Sequence, residues 1–334
     1  YIMNLINKKL LQQKYASFEF PTGKKSEEIN SLIDKWQRAL KDSDLENTKE
    51  KSIQGKFLQT FFENILGYDD VTSAEKEYTL IQHPRIENNV GEPDGSLGFF
   101  TKDNKDTRVV IELKDAKTDL DRKQNRDTKQ TPVDQAFNYA SKEDKCRWII
   151  VSNFKEIRLY SKSRSQEYYE KFMVRDLLED QEFKRFYFLL SRGNLIRKDG
   201  DSIVDVLATD STQQEQDITN EFYSKYKEVR LGLLNHLIDN NKDISAEILL
   251  EKTQKLLDRI VFALFCEDTT ELLPYEIVKN TYQRALNSFA NSDERVWNEF
   301  KGLFKSIDEG NSRVTPPINA YNGGLFKKDD ILDN

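Results

Sequence analysis

Glu112 and Lys114 stand two apart in the run Val109-Val110-Ile111-Glu112-Leu113-Lys114. The β-branched Val109, Val110 and Ile111 favour a strand. Side chains alternate between the faces of a strand, so Glu112 and Lys114 project together and Leu113 points the other way. Val109, Ile111 and Leu113 then form a face able to pack against a helix. Asp94 lies 18 residues before Glu112, in Glu92-Pro93-Asp94-Gly95, ahead of a second apolar run from Leu97 to Phe100. A neighbouring strand would bring Asp94 beside Glu112. Two carboxylates and the carbonyl of Leu113 make an all-oxygen site that suits Mg²⁺ or Mn²⁺ and suits zinc poorly. A cation held there lowers the pKa of a coordinated water and neutralises charge developing on a phosphate. Lys114 is placed to hold the attacking hydroxide or the pentavalent phosphate. These are the parts of phosphodiester hydrolysis without a covalent intermediate. Gln135 and Tyr139 are an i, i+4 pair on one helix face. Their polar ends could orient the lysine, a water or a phosphate above the metal.

Each residue also has a plainer reading. Glu-x-Lys on a strand is a common exposed ion pair. Asp94 sits in Pro-Asp-Gly, a turn sequence, and Gln135 and Tyr139 could be ordinary helix residues. Asp115, Asp119 and Asp121 follow the strand and read as solvated loop acids. His83 precedes Pro84 and reads as a loop residue, whereas His236 lies in a leucine-rich helix and reads as a core histidine. With two distant histidines, a mechanism built on histidine has little support. Cys146 and Cys266 lie in apolar runs and read as buried thiols.

The positioning elements follow from periodicity. Residues 25–66 read as helical. Leu32, Ile33, Trp36 and Leu40 form one stripe, and Ile53, Phe57, Leu58, Phe61, Phe62, Ile65 and Leu66 form a second, with Gly67 as its stop. Residues 74–165 carry short strands at 97–100, 109–113, 148–151 and 157–160. A helix over 133–140 begins after Pro132. This order predicts an α/β domain built on a small mixed sheet. Residues 170–334 return to helix, strongest from Leu249 to Leu264, with 207–218 read as a polar loop or hinge. Three segments result: a helical N-terminal segment at 1–45, the mixed α/β domain at 46–175 and a helical domain at 176–334.

Composition narrows the class. The 334 residues carry 51 Lys and Arg against 58 Asp and Glu, a net charge of −7. Hydrophobic residues make up 37%, below the ~45–50% of an average domain. No stretch approaches the ~20 apolar residues of a membrane-spanning helix, so no membrane partner is expected. Two cysteines exclude a disulfide scaffold and fit a reducing cytoplasm. The 20 Phe and 14 Tyr argue against wholesale disorder. The acidic total argues against nucleic acid only if charge is spread evenly. It is not: residues 108–164 hold 14 Lys and Arg against 9 Asp and Glu, a local excess of five positive charges. Lys117, Arg122, Lys123, Arg126 and Lys129 crowd the segment after the candidate strand, where they could contact backbone phosphates.

Asp94…Glu112-Leu113-Lys114 resembles the PD-(D/E)XK nuclease signature, and Gln135-x-x-x-Tyr139 resembles the accessory motif of its RecB-like branch. The chain is more closely similar to the N-terminal nuclease of single-chain type IIG restriction–modification enzymes. The likeness lies in Pro93 to Gly98, Thr118 to Gln124, Thr131 to Ala140 and Trp148 to Tyr160. It continues in Phe57 to Tyr68, Leu257 to Asp268 and Tyr321-Asn322-Gly323-Gly324-Leu325-Phe326, and so runs from about 45 to 326. The resemblance implies a PD-(D/E)XK restriction-endonuclease-like core, a helical connector, and a methyltransferase and target-recognition domain beyond the chain. It also implies a cytoplasmic prokaryotic enzyme of phage defence. Its expected partner is double-stranded DNA, with transient dimerisation for double-strand cleavage. The resemblance places Asp94, Glu112 and the Leu113 carbonyl on Mg²⁺, with Mn²⁺ as a substitute, and gives Lys114, Gln135 and Tyr139 catalytic roles. Nucleases of this superfamily often carry a further acid on the first helix. Glu50 is the candidate, with Gln54 one turn later, although the helix dipole alone would favour a first-turn Glu. No Asn-Pro-Pro-Tyr motif and no glycine-rich S-adenosylmethionine motif is present. That cofactor would belong to the methyltransferase domain, and the chain reads as a segment of a longer protein.

Two other functions stay open on the residues alone. A repair or junction-resolving nuclease of the same superfamily would prefer branched or single-stranded DNA. A non-catalytic docking scaffold would bind no metal at Asp94 and Glu112.

Overall fold

The computed structural model describes residues 3–42, 45–46, 50–72, 76–84, 92–124, 129–268, 272–289, 292, 294–321 and 323–333. Arg126 and Asn322, both singled out above, lie outside them. The chain forms two compact units, Tyr1–Gln216 and Asp217–Asn334.

The first unit opens with α1 (Lys8–Tyr15) and α2 (Gly23–Lys41). α3 (Glu50–Phe57) runs on into wider π-helical turns at Leu58–Ile65. The helix stops as expected at Gly67, whose φ of +79° is left-handed. Six strands follow: β1 (Tyr78–Gln82), β2 (Gly95–Phe100), β3 (Lys105–Leu113), β4 (Trp148–Ser152), β5 (Glu156–Ser161) and β6 (Tyr169–Met173). α4 (Pro132–Ser141) crosses from β3 to β4. α5 (Asp180–Leu190) and α6 (Arg192–Leu195) precede α7 (Ile203–Asn240).

The sheet keeps sequence order, and among its described strands β3 and β4 are the parallel pair. A parallel pair needs a crossover, and α4 supplies it. Its start is set by Thr131 and Asp134, which cap each other's backbone, with Pro132 in the first turn. Alternation divides β3 between two cores. Val109, Ile111 and Leu113 pack with Ile33, Trp36, Phe57, Phe61 and Phe186 on one face, while Val110 packs with Val133, Ala136 and Tyr139 of α4 on the other. Gly98 has a steric reason: a Cβ there would lie 2.0 Å from the Asp106 carbonyl oxygen, at the irregularity between β2 and β3.

Several expectations change. β1 and β6 are strands that periodicity missed, so the chain does not return to helix at 170. β6 is short and carries charged residues, which mask its alternation. The stretch 207–218 is not a loop or hinge but the interior of α7. Its Gln and Asp residues are ordinary on a solvated helix face, and Leu207 and Ser211 supply the buried side. The two compact units divide at 216/217. Leu11, Ile29, Ile33, Leu189 and Leu207 all join the core that packs on the sheet, so the flanking segments belong to the same unit.

The second unit holds α8 (Ala246–Asp268), α9 (Ile277–Leu286) and α10 (Arg295–Glu309). Ala263, Cys266, Leu303, Phe304, Ile307 and Phe326 form its core. Arg259 is fully buried and organises the last residues. It donates to the carbonyls of Leu325 and Lys327 and pairs with both carboxylate oxygens of Asp333. Asp329 accepts from Lys252 and Lys255 and from the amides of Ile331 and Leu332. His236 is exposed on α7 and is not a core histidine; its polar neighbours Asn235, Asp239 and Asn240 mark that face as solvated. Neither Cys146 nor Cys266 is in a disulfide, and both are buried, as expected. Among the described residues no helix is long and apolar enough to cross a membrane.

Two outcomes follow. Phe57→Ala should lower the unfolding free energy by about 3–5 kcal/mol, read by chemical denaturation, because Phe57 is fully buried among Trp36, Phe61 and Phe154. Burial would raise the Asp329 pKa, but the hydrogen bonds from Lys255, Leu332, Lys252 and Ile331 outweigh it and hold the carboxyl well below its usual range. A depressed folded pKa stabilises above the unfolded carboxylate value of about 4 and loses that stabilisation as pH falls further. Asp329→Asn should therefore lower Tm near neutral pH, with the difference shrinking below about pH 4.

Candidate active site

The antiparallel register pairs Gly95 with Ile111, so Asp94 and Glu112 are the next residues across from one another. Asp94 stands just before β2, and Glu112 and Leu113 close β3. Lys114 follows, and its amide donates to the Ser152 carbonyl at 2.8 Å, continuing the parallel ladder to β4. The strand ends thus collect Asp94, Glu112, Leu113 and Lys114 at one point, as alternation and a neighbouring strand required.

Burial sets the electrostatics. Glu112 is 1% and Lys114 4% exposed, and the Lys114 Nζ donates to Glu112 Oε1 and to the Leu113 carbonyl. Burial pushes the Glu112 carboxyl up to about 8; Lys114 pulls it down, while the nearby Asp94 and Glu50 push it further up. Asp94 uses both oxygens: Oδ1 accepts from Gln54 Nε2 at 2.9 Å and Oδ2 from the Leu113 amide at 2.7 Å. The same Gln54 nitrogen donates to Glu50 Oε1 at 3.1 Å, and Glu50 Oε2 accepts from the Asp115 amide. Burial also raises the Glu50 pKa, against the pull of Lys114 and with the push of Asp94. The structure therefore brings Glu50 to the other two acids, although Glu50 lies 44 residues before Asp94 in the chain.

Three carboxyl groups share one ammonium in a poorly solvated place, which favours the protonated form of Glu112. Gln54 is 3% exposed and its Oε1 has no hydrogen-bond partner. Such a donor set is all oxygen and short of a cation, which fits Mg²⁺ or Mn²⁺ by ligand type. Among the described residues no group of three or more His, Cys, Asp and Glu side chains is arranged as a ready metal cage. The fit is to two carboxylates and a main-chain carbonyl, the arrangement expected of a cation that keeps several waters.

Gln135 Nε2 donates to the Tyr139 hydroxyl at 2.9 Å. The hydroxyl's pKa is raised, first by burial, then by Glu112 and Asp94, against pulls from the Gln135 hydrogen bond and from Lys114. The i, i+4 pair thus lies within electrostatic range of the acids. Among the loop acids, Asp115 and Asp119 cap local turns through the amides of Lys117 and Asp121. Asp121 is different: it forms a two-pronged ion pair with Arg158 of β5. The available signal was the polar alternation Glu156-x-Arg158-x-Tyr160 in an otherwise apolar strand, but no spacing pointed from it to Asp121. A separate cleft of about 530 Å³, lined by Arg147, Trp148, Arg164 and Asp205, holds cations already paired with Asp201, Asp205 and Glu215.

A six-stranded mixed sheet with helices on both faces, an acid pair and a lysine at its strand ends, and a separate helical unit later in the chain define a nuclease-like module. Residues 25–211 match the family model described as "MmeI, N-terminal domain", and residues 251–326 match "MmeI, helicase spacer domain". The chain belongs to the MmeI family of restriction enzymes. No curated protein matches it. A solved structure titled "cryoEM structure DrdV-DNA complex" is 17% identical and aligns over 48% of this chain and 98% of that one. Its TM-score is 0.30, and the family assignment rests on the sequence models alone.

Tyr139→Phe removes the acceptor of Gln135 and should cost about 1 kcal/mol or less in unfolding free energy, read by denaturation. A much larger loss of stability would make the pair structural.

Proposed function

We propose that this chain is the endonuclease module of a type IIG-like restriction–modification enzyme of prokaryotic phage defence, with a PD-(D/E)XK site that hydrolyses phosphodiester bonds in double-stranded DNA. The observation that carries the reading is the convergence of Asp94, Glu112 and the buried Lys114 at adjacent strand ends. Asp94, Glu112 and the Leu113 carbonyl would hold Mg²⁺, or Mn²⁺ in its place, and the bound ion would supply an activated water and charge neutralisation at phosphorus.

The side chains do the rest. Lys114 holds its ammonium beside Glu112, where it can orient the incoming water and stabilise negative charge on the phosphoryl oxygens. Its aliphatic stem is buried, so the charge works in a poorly solvated place where it counts for more. Gln54 cross-links Asp94 and Glu50 and keeps both carboxylates directed into the site. Glu50 supports the Asp115 amide that starts the following loop and adds negative charge that favours a cation. Gln135 and Tyr139 present one amide and one hydroxyl from α4 for Lys114 or a DNA phosphate. Sequence recognition, methylation with S-adenosylmethionine, and dimerisation for double-strand cleavage belong to the whole enzyme.

The test is cleavage of double-stranded DNA with and without Mg²⁺, in this chain and in the full-length enzyme with its methyl donor. Asp94→Asn and Glu112→Ala should abolish cleavage, and Lys114→Ala should lower it by about 10²–10³-fold. Normal cleavage by Glu112→Ala or Lys114→Ala overturns the roles. Cleavage restricted to branched or single-stranded DNA would favour a repair-type nuclease.

A further inference from the structure

The loop that follows Lys114 is held at three points. Asn153, in the turn between β4 and β5, donates from Nδ2 to the Thr118 carbonyl at 2.9 Å. Leu120 is fully buried in the core beneath α4. Arg158 reaches from β5 to Asp121, with Nη1 to Oδ1 at 2.7 Å and Nη2 to Oδ2 at 2.9 Å. The pair is lopsided: Arg158 is 4% and Asp121 67% exposed. Glu156 Oε1, 2.9 Å from Nη2, and the Tyr169 ring, 4.9 Å from the guanidinium carbon, fix the arginine from behind. A bidentate fork sets direction as well as distance. The Arg158 guanidinium also holds the Asp121 carboxyl below the usual carboxylate range. Immediately after the latched residue come Arg122 and Lys123, both exposed.

We propose that Asp121, locked by Arg158, is a positioning residue that presents Arg122 and Lys123 as a phosphate clamp for the DNA strand entering the site. The inference rests on the nuclease reading above and assigns its DNA contact to this loop. The buried arginine pre-pays the ordering of the loop, so less freedom is lost when a phosphate binds. The contacts are to backbone and carry no sequence information.

The latch and a bare surface charge predict opposite signs. Deleting an exposed acid beside a polyanion should tighten binding if charge alone matters. If Asp121 is a latch, Asp121→Ala weakens binding although it removes a negative charge. The measurement is a fluorescence-anisotropy titration of the 334-residue chain, without divalent metal, against a short double-stranded oligonucleotide at several salt concentrations. Asp121→Ala should weaken binding about threefold or more and lower the slope of log affinity against log salt by about one to two. Asp121→Asn, which keeps an acceptor for Arg158, should fall between. In an Arg122→Ala/Lys123→Ala background, adding Asp121→Ala should change nothing further, which a merely misfolded variant would not reproduce. Equal or tighter binding by Asp121→Ala, or an additive loss in that background, overturns the latch and leaves the nuclease reading standing. No DNA binding by the unsubstituted chain overturns both.

Discussion

A carboxylate and an ammonium buried side by side at the end of a central strand govern this site. Taking either charge out of water alone costs several kcal/mol. Together Glu112 and Lys114 persist because Lys114 also reaches the Leu113 carbonyl and the parallel ladder to β4 holds its backbone. The pair does not neutralise the pocket. Asp94 and Glu50 face the same region, and burial, followed by their repulsion, raises the Glu112 pKa. Three acidic side chains thus share one ammonium in a poorly solvated place.

The sheet exists in the form that this arrangement requires. β3 is flanked by an antiparallel strand that brings Asp94 across and a parallel strand that sets Lys114. Its alternation sends Val109, Ile111 and Leu113 into one core and Val110 toward α4. α3 approaches from the first side with Glu50 and Gln54, and α4 covers the second with Gln135 and Tyr139. Glu50 and Gln54 of α3 therefore meet Asp94 and Glu112 at one end of two strands, with Tyr139 of α4 within electrostatic range. The charged chain sits on aromatic packing: Trp36, Phe57, Phe61, Phe154 and Phe186 form connected edge-on and tilted contacts behind the sheet.

The second unit uses a related device. Arg259, fully buried, satisfies its donors with two carbonyls and Asp333, and so ties the last residues onto α8. In both units a buried cation ties another segment to the core through its hydrogen bonds. This suits a chain with fewer hydrophobic and more charged residues than the average domain.

Local pattern sufficed for much of the site. The period of two in Val109 to Leu113 placed Glu112 and Lys114 on one face, and the spacing of Gln135 and Tyr139 placed them on one turn of α4. Pro132 and Gly67 marked ends where backbone chemistry is residue-specific. What the sequence left open depends on distance through space. β6 was hidden because its charged residues pair across the fold, Glu170 with Arg185 and Lys171 with Glu156. The 207–218 stretch looked like a hinge because a solvated helix face and a loop share a composition. Gln54 bridging Asp94 and Glu50, and Arg158 holding Asp121, span 40 and 37 residues. By itself the sequence determined which side chains share a face, since that follows from the geometry of one strand or helix. Only the tertiary structure decided which faces meet, because register and packing between elements join residues that no local period connects.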